Sequence, residues 1–196
     1  MDRSFRDSPV ERQLLAAAAR LFARKGFDGV SVSQIVDAAA LTKGALYHYF
    51  ESKNDLLYEI YRALLTRQLA DLDRITGGGL PPAETLRLLI TELVKSAAAG
   101  IDESKVWARE MHRLDEAHLL AVRIGRRGYH DRFRQIVEAA QAQGELSSSV
   151  SPETVTLIVL SMVDQMPQWY RPDGPKSPTQ IAAEVCAFVF AALRPE

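Results

Sequence analysis

Apolar side chains recur along this chain at intervals of three and four residues, the spacing that gathers them onto one face of an α-helix. Leu14, Leu15, Ala18, Leu21 and Phe22 form the first such stripe. Ahead of it, Ser8-Pro9-Val10-Glu11 combines an N-cap serine, a proline at the first helical position and a glutamate three residues after the cap; Gly26 follows Arg24-Lys25 at the far end. A helix is therefore predicted over 9–25. Ser31-Val32-Ser33-Gln34 opens a short second helix whose buried side is Val32, Ile35, Val36 and Ala39 and which ends near Ala40. Thr42 caps a third, with Leu46 and Phe50 on one face, and Ser52-Lys53-Asn54-Asp55 opens a fourth carrying Leu56, Leu57, Ile60, Tyr61, Leu64 and Leu65. The run from Thr76 to Pro82, with three glycines and two prolines, ends it. Further helices are predicted at 83–99, 103–114, 116–143, 152–170 and 178–193. No stretch alternates with period two, so the fold class is all-α with about nine helices.

Residues 31–50 carry the chemistry. A short capped helix, a turn at Ala40-Leu41-Thr42 and a second very short helix fit a helix-turn-helix, whose second helix enters a DNA major groove. Burial of Leu46 and Phe50 leaves Thr42, Lys43, Tyr47 and His48 pointing elsewhere, a face rich in hydrogen-bond donors. Gly44, in so short a helix, costs about 1 kcal/mol against alanine, which makes sense where a backbone or phosphate must approach closely. Lys53, at the next helix start, is placed to clamp a phosphate beside unpaired backbone N–H groups. The plain alternative is that such helix pairs and tyrosines are packing elements of an all-α protein.

The chain also resembles the tetracycline-repressor (TetR) family of transcriptional regulators. The resembling residues are Leu21-Phe22-Ala23-Arg24-Lys25-Gly26-Phe27, Ser31-Val32-Ser33-Gln34-Ile35, and above all Leu41-Thr42-Lys43-Gly44-Ala45-Leu46-Tyr47-His48-Tyr49-Phe50 followed by Ser52-Lys53. The resemblance is dense over 10–60, and helix count and length agree over the rest. It implies a nine-helix homodimer with an N-terminal DNA-binding domain, here 1–54, and a domain at 55–196 that dimerises and holds an effector. It also implies DNA contacts at Thr42, Lys43, Tyr47, His48 and Lys53, with Ser31 and Ser33 near the backbone. Ala45 stands where many members have a hydroxyl residue, so one contact is missing.

Three apolar stripes mark the second domain: Trp107, Met111 and Leu114; Val122, Tyr129, Phe133, Ile136 and Ala140; and Ile158, Met162, Met166 and Trp169. They make an ordinary helical core, yet thioethers and large aromatics also line adaptable pockets. Trp107, Met111, Tyr129, Phe133, Met162, Met166 and Trp169 are thus the candidate effector contacts. Pro167 should kink or shorten the eighth helix, and Asp164 and Gln165 are candidates for pocket polarity. Arg123, Arg127, His130 and Arg134 form a basic stripe that reads as a solvated face or as a seat for an anionic group. The segment from Trp169 to Pro175 looks like a motif in a branch of the family that includes sensors of acyl-coenzyme A thioesters, so acyl-CoA is one candidate effector among apolar ligands. The last helix is apolar nearly all round and has to be buried; with the eighth it is expected to meet a twofold copy.

Composition narrows the alternatives. The 196 residues are 47% hydrophobic and 25% charged, which excludes a disordered chain. No apolar run reaches the roughly 20 residues of a membrane span and no signal peptide is visible, so a cytoplasmic protein is expected. Residues 1–57 hold 8 Lys and Arg against 7 Asp and Glu, a slight positive bias in a chain of net charge −1. Arg3 and Arg6 could form an arm toward phosphates, or simply a disordered tail. Cys186, the single cysteine, reads as inert packing. Four scattered histidines and no glycine-rich loop after a strand argue against an enzyme, a metal or a cofactor. The expected function is a DNA-binding regulator, a repressor released from a near-palindromic operator by an apolar or acyl-type small molecule. The alternative is a helical ligand-binding or protein-interaction module without specific DNA binding.

Overall fold

The computed structural model describes residues 8–195. Within them the chain is helical throughout: α1 (Pro9–Lys25), α2 (Val32–Ala38), α3 (Lys43–Tyr49), α4 (Lys53–Thr76), α5 (Pro82–Ala99), α6 (Ile101–Arg109), α7 (Glu116–Ala142), α8 (Pro152–Asp164), α9 (Met166–Trp169) and α10 (Pro178–Ala192), with one 3₁₀ turn at Met111–Arg113. Arg3 and Arg6 lie outside the described residues.

The serine and threonine starts expected from sequence are N-caps. Ser8, Ser31, Thr42, Ser52, Ser151 and Ser177 each accept a backbone N–H from the first turn of the helix they precede. Ser31 with Gln34 and Ser177 with Gln180 close full capping boxes. The helix expected over 152–170 breaks at Gln165. Pro167 supplies no N–H, so α8 stops, the Val163 carbonyl accepts from Gln165 N–H, and α9 runs on as a single turn.

Two apolar cores form. The C-terminal core gathers Leu86, Leu89 and Ile90 of α5, Tyr129 and Phe133 of α7, Val155 and Val159 of α8, and Ile181 and Val189 of α10, which lies along α5. The N-terminal core, around Leu14, Phe22, Ile35, Leu46 and Phe50, also takes in Leu56, Leu57, Ile60, Tyr61 and Leu64 of α4, and Val106 and Trp107 of α6. A boundary at residue 54 therefore separates elements but not cores: the packing divides along α4, between Leu64 and Leu72. The Tyr61 hydroxyl donates to the carbonyls of Val106 (2.8 Å) and Trp107 (3.2 Å), tying α6 to α4 inside this shared region.

One chain does not bury its last helix. Ile181, Ala182, Cys186 and Val189 face inward, while Ala183, Ala187 and Phe188 are exposed, as are Leu157, Ile158 and Trp169 of α8 and α9. No described helix is long and apolar enough to cross a membrane.

Candidate DNA-binding and ligand-binding sites

Helices α2 and α3 stand on Ile35, Val36, Ala39, Leu46 and Phe50, all buried. The turn between them is closed from the backbone: Leu41 N–H donates to the Val36 carbonyl (2.9 Å) and Ala40 takes a left-handed φ of 50°. Tyr49 reaches back to α1, its hydroxyl 3.1 Å from that of Ser8, which pins the end of α3. The outer face is left to Thr42, Lys43, Gly44, Tyr47 and His48, all exposed, Tyr47 at 56%. Thr42 accepts from Ala45 N–H (3.1 Å), so its oxygen is used as a cap while its hydroxyl proton is free to donate outward. A Cβ on Gly44 would meet nothing closer than Thr42 Oγ1 at 3.7 Å, ordinary contact, so the protein's own packing does not require glycine there. Ser31 and Ser33 begin α2, Ser31 exposed and Ser33 half-buried.

Lys53 is placed differently from the sequence expectation. Its ammonium turns inward, donating to the carbonyls of Phe27 and Val30, both at 2.9 Å, and lies 4.2 Å from the centre of the Phe27 ring. It ties the α1–α2 loop to the start of α4, and one of its three protons is left for an outside acceptor. Sequence gave no sign of this, because the two carbonyls lie 26 and 23 residues away.

The seven candidate effector residues do not share one cavity. Trp107 walls a narrow, partly enclosed space of about 20 Å³ with Leu64, Gln68, Leu93, Ser96, Ala97, Ser104, Val163 and Asp164. Tyr129 lines a second, of about 10 Å³, which shares Gln68, Leu93 and Ser96 with the first. Phe133 and Met166 are buried in the C-terminal core, and Met111 packs against the N-terminal one. Met162 and Trp169 lie on an open apolar groove with Leu157 and Ile158. Sequence reading missed Gln68, Ser96 and Ser104; the signal was a polar residue interrupting an apolar stripe, as Gln68 does between Leu64 and Leu72.

Asp164 supplies the cavity's charge. Its carboxylate accepts from Arg126 Nη2 at 2.6 Å, and Arg126 lies 5.6 Å from the centre of the Trp107 ring. Burial pushes the Asp164 carboxyl above its ordinary range, against the pull of Arg126 and the indole. The basic stripe of α7 is not one anion seat. Arg134 pairs with Glu138 and faces Asp131 and Glu153, and burial together with Arg126 holds His130 below its usual pKa; Arg123 and Arg127 are exposed.

Residues 14–60 match bacterial regulatory proteins of the tetR family, and residues 79–193 a tetracyclin repressor-like C-terminal domain. The HTH-type transcriptional repressor KstR2 of Rhodococcus jostii (strain RHA1) is 26% identical over 182 residues, 92% of this chain and 89% of that protein. The structure of the ketosteroid transcriptional regulator KstR2 of Mycobacterium tuberculosis shares the fold, with a TM-score of 0.88 at 22% identity over 97% of each chain. AibR, solved in complex with isovaleryl coenzyme A and operator DNA, matches with a TM-score of 0.82 at 26% identity, over 95% of this chain and all of that one. Both halves of the chain thus match the same family, and the N-terminal match falls on the helix-turn-helix: the protein belongs to the TetR family of transcriptional regulators and is a DNA-binding regulator rather than an enzyme.

Proposed function

We propose that the chain acts as a homodimeric repressor whose grip on a near-palindromic operator is released by an apolar or acyl-type small molecule. The observation that carries this reading is that Trp107 belongs to both sites. It packs in the core that supports α3, and it walls the cavity under Asp164. The cavity has room for about one water, so an effector has to push its walls apart, and Trp107 cannot move without disturbing the N-terminal core. Coupling is then thermodynamic: the effector binds the opened, DNA-incompetent state better by the factor by which it weakens operator affinity.

Thr42, Lys43, Tyr47 and His48 are the residues for the major groove, Gly44 the point of closest approach, and Ser31, Ser33 and the remaining proton of Lys53 the phosphate contacts. The exposed apolar side chains of α8 to α10 are the dimer face, which places two recognition helices on successive turns of DNA. AibR is solved with an acyl thioester, which makes short-chain acyl-CoA the first effector to try. The test is fluorescence anisotropy on duplex from upstream of the protein's own gene and on scrambled duplex, each at two salt concentrations, then with isovaleryl-CoA added. Tight, salt-sensitive binding to the first duplex alone, relieved by the thioester, is the expected result. Equal weak binding to both duplexes would favour a module that no longer reads DNA.

A further inference from the structure

Asn54 joins the start of α4 to the start of α7, both of which run from the N-terminal core into the C-terminal one, through a single side chain. It sits in the first turn of α4, a helix that passes from one core into the other. Its Nδ2 donates to the Arg113 carbonyl at 2.7 Å, and its Oδ1 accepts from Asp115 N–H at 3.1 Å, with His118 Nδ1 3.2 Å away. Arg113 to Asp115 is the connection between the 3₁₀ turn and α7, so the amide pairs with both an acceptor and a donor of that backbone. The pattern fixes which end of the amide is which, since the carbonyl can only accept and the N–H only donate.

Two further contacts converge on the same point. Arg113 Nη2 meets Asp28 Oδ2 of the α1–α2 loop at 2.6 Å. The His118 ring stacks on Tyr58 of α4, with centroids 4.3 Å apart and planes 20° apart, and its Nδ1 lies 2.8 Å from Asp115 Oδ2. Asp115 in turn caps α7, accepting from His118 N–H at 2.9 Å.

Elsewhere α6 packs on α1 and α4 around Val106 and Trp107, with the Tyr61 hydroxyl bonded to both their carbonyls, and the first turns of α7 add Val122 to the same core. Apolar packing is close but non-directional, and it tolerates small rotations that paired hydrogen bonds do not. Tyr61 fixes α6 on α4 in this way, and the bidentate amide and the Asp28–Arg113 pair do the same for the start of α7. Both lie on the DNA-binding side of the shared core and hold its loop and the start of α4 to the start of α7.

We infer that Asn54 is a positioning residue for DNA binding: with the Asp28–Arg113 pair it fixes the angle at which the helix-turn-helix is carried on the C-terminal helices, and so the separation of the two recognition helices in a dimer. The inference rests on the repressor reading only for its DNA consequence; the angle itself is measurable without DNA or effector. Asp at this position loses the donor to Arg113 and faces Asp115, and Gln displaces the amide by one carbon, so neither reproduces the pair of bonds.

The experiment places spin labels at Asp37→Cys on α2 and Arg127→Cys on α7, both exposed, in a Cys186→Ala background, and measures their distance within one chain by diluting labelled protein into unlabelled. The expected result is one narrow distribution in the parent, about twice as wide in Asn54→Ala. Asp28→Arg and Arg113→Asp each broaden it as single changes, and the charge-swapped double variant narrows it again. On DNA, inserting one base pair between half-sites costs the parent about tenfold in affinity and Asn54→Ala less than about threefold, because a loosened head tolerates the altered spacing. An unchanged distribution in Asn54→Ala overturns the inference; if thermal unfolding is then lowered, Asn54 is only a local support for the start of α7. Should Asn54→Ala fail to fold, the charge-swap series decides: singles no broader than the parent overturn it equally. Failure of the parent to bind any duplex specifically, with the distance behaviour as expected, would instead count against the repressor reading.

Discussion

Replacing Gly44 by alanine separates what the fold needs from what DNA needs. Gly44 is the second residue of α3, it has no positive φ, and a Cβ there meets only Thr42 Oγ1, at 3.7 Å. Alanine therefore fits the free protein without strain and recovers helix propensity, which is about 1 kcal/mol in a helix interior and about half of that in a first turn. For a domain of this size the gain corresponds to a rise in Tm of roughly 1–2 °C. The same methyl projects from the exposed face that carries Lys43, Tyr47 and His48, where a phosphate or base edge has to come against the backbone. Holding that partner off by even an ångström weakens the neighbouring hydrogen bonds, and a loss of about 1.4 kcal/mol is already tenfold in operator affinity. The assay is thermal unfolding of Gly44→Ala beside anisotropy titration onto operator duplex. A protein that is more stable and binds at least about tenfold more weakly bears the reasoning out. A more stable protein with undiminished affinity would refute it, because DNA would then not approach at Gly44 and the docking face would lie elsewhere.

Four other outcomes follow from the geometry. Lys53→Ala removes two charge-assisted bonds to the Phe27 and Val30 carbonyls, so urea unfolding should show a loss of about 2 kcal/mol, with DNA binding weakened alike for all sequences. Ala40→Gly relieves a left-handed residue and should raise stability by about 0.5–1 kcal/mol in the same measurement, with recognition unaltered. Burial raises the Asp164 carboxyl above its unfolded value, so the folded state holds that proton more tightly, and the group's contribution to stability falls as pH rises from about 4 to its folded pKa. Stability curves of the parent and Asp164→Asn across pH 3–7 should therefore differ by a component that declines through that window, and parallel curves would count against it. Ile158→Glu and Phe188→Glu put a charge on the exposed apolar face of α8 and α10; each should cost about 3 kcal/mol of association, roughly a hundredfold, read by sedimentation at several concentrations.

Much of this molecule is written locally. The N-caps at Ser8, Ser31, Thr42, Ser52, Ser151 and Ser177, the break forced by Pro167 and the recognition-helix string from Thr42 to Phe50 depend on residues within one or two turns of one another. That is why sequence alone was enough for an all-α chain with a helix-turn-helix and for its likeness to the TetR family. What it could not settle was where long side chains go once helices pack. The Lys53 ammonium turns to carbonyls more than twenty residues away, Asp164 meets Arg126 across α7 and α8, and Asn54 bonds to a connection 59 to 61 residues distant. The aromatic and thioether stripes were found as stripes, but a stripe specifies only that a face is buried. Whether it faces a cavity, the core or open solvent is decided by the helix opposite, so Trp107, Phe133 and Trp169 end in three different surroundings. Capping and periodicity are properties of a single helix; cavities, latches and interfaces belong to pairs of helices, and their geometry exists only after the tertiary packing has been chosen.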